Sequence, residues 1–202
     1  MLNHTTPVCT NKPSTRPCWR TVSFDETQVH AALNISAAKA IAVRPRVEFS
    51  NTECIVTDRS YVYFETCRIK AINRTYKYFS MRAKFPRHEP VHNISMTFAL
   101  LRKANGYKPF LYNFTVDACK YMKKRNNPVI NYFHGWFEKY STINRTCPYG
   151  PQDEIVDKLP ISYINHMATE ILPVPNGEYV FHTSWFFYQT KVAIVKLFFQ
   201  IL

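Results

Sequence analysis

Glycine is scarce in this chain, with four in 202 residues, where about 7% is usual. Phosphate-cradling loops need repeated close backbone approach without a Cβ, so the shortage argues against a nucleotide-binding α/β enzyme. Long apolar runs are missing too. A helix crossing a bilayer needs roughly 18 to 20 apolar residues, and the best stretch, Val192 to Leu202, is short and contains Lys196. The chain is therefore expected to be soluble. No C-x-x-C and no G-x-S-x-G occurs, which removes common local signatures of thiol redox and serine-nucleophile chemistry.

What is present points outside the cell. Aromatic residues make up 15% of the chain and charged residues 20%, a balance that supports one sizeable core rather than disorder. Six N-x-[ST] sequons, at Asn3, Asn34, Asn73, Asn93, Asn113 and Asn144, exceed the roughly two expected by chance from this composition. The six cysteines, Cys9, Cys18, Cys54, Cys67, Cys119 and Cys147, form an even set suited to disulfides. A secreted, glycosylated, disulfide-bonded protein is the expectation. Residues 1–20 nevertheless lack the apolar stretch of a signal peptide, so a mispredicted or alternative first segment is expected, with export through a sequence not shown as the other reading.

Two regions follow from the pattern. Residues 1–46 show scattered proline and no strand alternation, and read as an irregular extension. Residues 47–202 alternate apolar and polar in short runs, the mark of an antiparallel β domain. Strands are expected over Val47 to Val56, Tyr61 to Lys70 and Arg74 to Phe85. A turn near Ser60 would set Cys54 opposite Cys67 on neighbouring strands, within disulfide reach. In the next pair, Ile94, Met96, Phe98 and Leu100 share one face, and Phe110, Tyr112, Phe114 and Val116 another. The sequons Asn93 and Asn113 fall on the polar faces, where a glycan must project. Asn105-Gly106 signals the hairpin between them. A strict two-residue turn there would put Asn113 on the face of Phe98, so a longer loop or a bulge near Pro109 is required.

After Cys119 the period changes. Asn127-Pro128 reads as a cap and first turn, and the spacing of Val129, Phe133, Trp136, Phe137 and Tyr140 predicts one amphipathic helix over 128–140. A Cys119–Cys147 bridge would enclose it, leaving Cys9 to Cys18, although six cysteines allow 15 pairings. Glu178 to Tyr188 and Lys191 to Leu202 read as a last hairpin.

The words Asn105-Gly106-Tyr107-Lys108-Pro109-Phe110-Leu111-Tyr112-Asn113, Asp117-Ala118-Cys119-Lys120, Asn126-Asn127-Pro128, Thr146-Cys147-Pro148-Tyr149 and Asp157-Lys158-Leu159-Pro160 resemble a large insect family of secreted proteins of unknown function related to the CheB gustatory proteins. Cys67-Arg68-Ile69-Lys70 and Asn73-Arg74-Thr75 fit the same pattern. The resemblance covers about 47–202, and residues 1–46 depart from it, since such proteins start with a signal peptide directly before the first strand. CheB-type proteins are distantly similar to the ML lipid-recognition superfamily, which includes the ganglioside activator and the Niemann-Pick sterol carrier. That implies a mainly β fold, an immunoglobulin-like sandwich or cup of antiparallel strands whose interior holds a lipid. Cys147-Pro148 followed by Lys158-Leu159-Pro160 resembles the sterol-carrier arrangement, but the segment from Cys119 to Cys147 is longer than that comparison provides.

Three function classes compete. The first is binding of a small hydrophobic ligand, with Ile94, Met96, Phe98, Phe110, Phe114, Val195 and Leu197 marking the face on which a pocket would open; taken singly, each is more often core. The formal charge of +12 invites a nucleic-acid reading, which the extracellular signals oppose. Its one compact basic cluster, Lys120, Lys123, Lys124 and Arg125, is more often a solvated segment, or it steers approach to an anionic membrane or receptor. Enzymatic activity is not expected: Asp153, Glu154 and Asp157 cluster, and His134, His166 and His182 occur, without an arrangement that specifies chemistry. No cofactor and no metal are expected. The leading expectation is thus a secreted, monomeric carrier of a lipid, sterol or hydrocarbon-type signal molecule in chemosensation, with a membrane receptor or channel as a second partner. The alternative is a structural or receptor-binding module with a closed core. A continuous apolar void of about 300 Å³ or more favours the first.

Overall fold

The structure, a computed structural model, describes residues 45–171 and 174–202. The expectations for residues 1–46, including Cys9, Cys18 and the sequons Asn3 and Asn34, fall outside the described residues except at Pro45 and Arg46.

Among the described residues, eight strands form two antiparallel sheets. The larger holds β1 (Val47–Val56), β8 (Thr190–Ile201), β7 (Gly177–Phe187), β4 (Ile94–Ala104) and β5 (Gly106–Asp117) in that spatial order. The smaller holds β2 (Tyr63–Ala71), β3 (Lys77–Lys84) and β6 (Glu154–Pro160). Each sheet turns its apolar face inward, and the two faces meet in a shared core that includes Phe49, Phe98, Phe199, Phe79 and Leu159. The fold is mainly β, an antiparallel sandwich, as the alternation predicts.

Three strands cannot cover five at a spacing of about 4.8 Å per strand. Helices complete the second layer: α1 (Ala118–Lys123), α2 (Pro128–Gly135) and α3 (Ile161–His166), with a single 3-10 turn at Glu138–Tyr140. Phe133 of α2 lies over β4 and β5, its ring 4.3 Å from that of Phe98 and 5.0 Å from that of Tyr112.

The expected single helix over 128–140 is corrected. It begins as anticipated, with Asn127 Oδ1 accepting from Val129 N and Ile130 N and Pro128 in the first turn, but ends at Gly135. Glycine is a poor helix former, and the Gly135 carbonyl accepts a 2.7 Å hydrogen bond from the Tyr163 hydroxyl. Trp136 then turns into the core, 2% exposed. The basic run after Asp117 begins in α1, where Asp117 Oδ1 accepts from Lys120 N at 2.9 Å, and Lys120, Lys123, Lys124 and Arg125 are all exposed.

Both disulfides in the described residues join the expected cysteines, Cys54–Cys67 and Cys119–Cys147. The geometry inferred for the first is corrected. β1 pairs with β8 and β2 with β3, so Cys54 and Cys67 lie on different sheets, with Cα atoms 6.2 Å apart. The bond ties sheet to sheet rather than stapling a hairpin.

The parity problem in the β4–β5 hairpin is resolved at the turn, where Ala104 pairs with Gly106 and not with Tyr107, and a bulge after Pro109 then adds two residues to β5, which keeps the faces in phase. Pairing shifts between Ala99↔Asn113 and Leu101↔Pro109, with Leu111 at φ 64° on the bulge. Phe98 therefore faces Phe114, and Asn113 points outward. Gly106, at φ +87°, closes the turn in the left-handed region that glycine enters without steric cost. The β7–β8 turn places Tyr188 and Gln189 at φ 48° and 72°, the pair of positive angles that suits a tight hairpin.

Candidate functional site

The aromatic core does not fill the sandwich evenly. Toward one end, Tyr179, Phe199 and Trp136 are almost fully buried and pack on one another. Midway, Phe98 meets Phe114, Phe133 and Phe181 at ring separations of 5.2, 4.3 and 4.7 Å. Beyond this aromatic floor the side chains shorten to Ala83, Ala118, Val192 and Ala193, and a void of about 310 Å³ opens between the sheets. Its walls come from both sheets, from α1 through Tyr121 and Met122, and from α2 through Ile130 and Phe133. A smaller void of about 70 Å³, lined by Leu159, Ile164 and Trp136 among others, lies behind Phe181 and Trp185, which border both.

The mouth is where the exposed lining residues gather, at the end carrying the β1–β2, β3–β4 and β7–β8 connections. Arg87, Glu89, Pro90 and Tyr188 line the void there and reach solvent. Hydrogen bonds stitch these loops together. Arg87 Nε donates to the Ser60 carbonyl at 3.1 Å and Nη2 to Ser60 Oγ at 3.2 Å, while its guanidinium stacks 4.2 Å above the Tyr61 ring. His92 N donates to the Tyr188 hydroxyl, and Tyr188 N to the Asn93 carbonyl, each at 3.1 Å.

One wall carries a buried polar corner. Glu154, at the start of β6, is 6% exposed and lines the void. Its carboxylate accepts from Thr142 Oγ1 at 2.8 Å and pairs with the Arg145 guanidinium. Burial raises its pKa, against the opposing pull of the Thr142 and Arg145 hydrogen bonds. Beside it, burial pushes the Tyr149 hydroxyl up to about 12. His134 also lines the void and is 7% exposed; Nε2 lies 3.0 Å from the Ile143 carbonyl and Nδ1 3.4 Å from Glu138.

Of the residues marked from sequence, Ile94, Met96, Phe98, Phe114 and Val195 line the larger void. Leu197 lines the smaller one, as Val195 also does. Phe110 lines neither. It sits on the far side of the bulge, against Tyr179 and Arg102, at 5.6 Å from each. Reasoning from strand alternation missed Ala83, Val192 and Ala193, whose small size leaves the space open, and the walls supplied by α1 and by Glu154 to Tyr149. The basic cluster divides: Lys120 pairs with Asp117 at 3.3 Å and Arg125 with Glu138, while Lys123 and Lys124 are exposed. Asn73, Asn93, Asn113 and Asn144 are all exposed. His166 pairs with Glu170 at 2.9 Å, and His182 lies on the outer face of the larger sheet. Asp157 is exposed, and Asp153 lies 3.9 Å from Arg82. Among the described residues no group of three or more His, Cys, Asp or Glu stands close enough to hold a metal ion, and no helix is long and apolar enough to cross a membrane.

Fold and void together define a two-sheet β-sandwich with an internal apolar chamber. The family model described as "Protein of unknown function (DUF1091)" matches residues 96–181, from within β4 to within β7. Among solved structures, the crystal structure of a Niemann-Pick type C2 protein from Japanese carpenter ant is similar at 13% identity, over 76% of this chain and 90% of that chain, with a TM-score of 0.29. No curated protein matches the chain in sequence.

Proposed function

We propose that this is an extracellular binding protein that carries a small hydrophobic molecule between its sheets. The single observation that carries the reading is the apolar void of about 310 Å³ with a loop-framed mouth, which lies at the lower end of the range of about 300 to 1,000 Å³ typical of small-molecule sites. Close-packed interiors do not keep such space without consequence, because wall atoms lose dispersion contacts that a ligand restores. Each methylene moved from water into the chamber contributes about 0.8 kcal/mol. The disulfides and exposed sequons fit a secretory setting, and the resemblance to gustatory proteins supports a chemosensory role with a receptor as partner. A closed-core module is the alternative, and it would need this interior filled.

The test is native mass spectrometry of protein secreted from insect cells, with the variant Ala83→Phe as a control. Phenylalanine at position 83 projects into the void from β3. Wild type is expected to retain or take up an apolar molecule, and the variant to fold but lose it. A wild-type protein that neither co-purifies with nor binds any apolar probe would sink the proposal.

A further inference from the structure

The chamber is selective in a way its apolar walls do not suggest. Away from the mouth, every side-chain donor on its lining is already spent inside the protein. The Tyr121 hydroxyl donates to Asn131 Oδ1 at 2.9 Å, the Tyr149 hydroxyl to the Arg145 carbonyl at 3.0 Å, and Trp185 Nε1 to Thr183 Oγ1 at 3.1 Å. His134 Nε2 is held by the Ile143 carbonyl, which can only accept. Two buried donors lack a partner, Trp136 Nε1 and Arg145 Nε, but neither residue lines this void, and Trp136 lines the smaller one.

Acceptor capacity is not spent. A carboxylate has about four lone-pair sites, and Glu154 receives one hydrogen bond on each oxygen, from Thr142 and from Arg145. Two sites remain on a group that is 6% exposed and borders the void. A buried acceptor left short of donors is costly. A ligand that brought a donor would relieve that cost, whereas a ligand carboxylate would face a like charge and no free donor on the lining away from the mouth.

Size sets the second limit. At roughly 30 Å³ for a water-sized group, 310 Å³ holds about ten non-hydrogen atoms. A sterol has far more.

We propose that the ligand is a medium-chain amphiphile of about ten non-hydrogen atoms whose head is a hydrogen-bond donor, a hydroxyl or an ammonium group, received by Glu154. This rests on the binding reading above and specifies its ligand class.

Isothermal titration calorimetry on the full chain tests it with four probes of matched length: nonan-1-ol, nonylamine, octanoate and methyl octanoate. The last is neutral and offers acceptors only, so it separates donor recognition from charge repulsion. On wild type, the alcohol, the amine or both are expected to bind at least about tenfold more tightly than octanoate and methyl octanoate, the scale of a hydrogen bond to a charged group. The two donor probes distinguish a hydroxyl from an ammonium head. Glu154→Gln, checked for folding by circular dichroism, is expected to shrink that preference to about threefold or less. Equal binding of all four by wild type, or a preference for octanoate, overturns the head-group assignment while leaving the carrier reading intact, and this comparison needs no variant. Cholesterol binding more tightly than nonan-1-ol overturns the size limit. Failure of every probe to bind overturns both readings together.

Discussion

Phe98 is 1% exposed and touches three other aromatic rings, so it serves as both core and chamber floor. Phe98→Ala is expected to cost about 3–5 kcal/mol in urea unfolding, the usual loss for a buried phenylalanine, and to join empty space to the chamber rather than collapse it. An accompanying rise in the size of apolar probe accepted would separate that outcome from simple core loss. His182 behaves differently. Its imidazole is held below the ordinary 6.5 by burial first, then by Lys196 and Lys191. Between that lowered value and 6.5 the folded chain binds fewer protons than the unfolded one, so this contribution to stability is complete above 6.5 and is lost as pH falls through the folded value. Urea midpoints should therefore fall between about pH 7.5 and about pH 5.5, and the fall should be smaller in His182→Gln. An identical decline in both proteins would assign the pH dependence to other groups.

Among elements, the disulfides do unequal work. The chain-entropy model assigns about 3.5 kcal/mol to closing the 28-residue Cys119–Cys147 loop and about 3 kcal/mol to the 13-residue Cys54–Cys67 loop. The first anchors α1, which presents Tyr121 and Met122 to the chamber, to the segment carrying Tyr149. Removing it as Cys119→Ser with Cys147→Ser should weaken probe binding about tenfold or more beyond the loss of stability. Removing the other pair should lower stability with little change in affinity at temperatures where both variants are folded. Comparable affinity in the two double variants would show that α1 is not a functional wall. The strands with clean alternation, β4, β5, β7 and β8, were readable from sequence, as were the helix cap at Asn127-Pro128 and the two cysteine pairings. β6 was not. The shift in its pairing with β3, between Phe79 and Met81, together with Lys158 at φ 47°, turns Val156 and Leu159 to the same side although they are three apart. β1 hides its phase likewise, because the irregularity between Phe49 and Asn51 switches the inward set from Val47 and Phe49 to Thr52, Cys54 and Val56. Period-two reading carries no sign of either irregularity. The chamber was half visible: alternation marked its bulky lining, but an opening made by small residues leaves no hydrophobic stripe.

At the scale of the molecule, the four described sequons lie at exposed positions on different parts of the sandwich, Asn73 in the β2–β3 turn, Asn93 beside the mouth, Asn113 on the edge strand β5 and Asn144 in the loop before β6. Secretion from insect cells is expected to yield glycans at these asparagines, read by glycopeptide mass spectrometry; unmodified peptides at all four would remove the secretory assignment. Net charge of +12 keeps such a molecule soluble through self-repulsion. The cross-sheet bond of Cys54 to Cys67 has a mechanical result. It fastens the two layers along the β1–β2 side, as a spine fastens the covers of a book, while the Cys119–Cys147 bond clasps α1 on the opposite, fore-edge side, where α1 and α2 stand in for missing strands. Parting of the sheets is thus opposed at both edges, which leaves the loop-framed end at Arg87, Glu89, Pro90 and Tyr188 as the way into the interior.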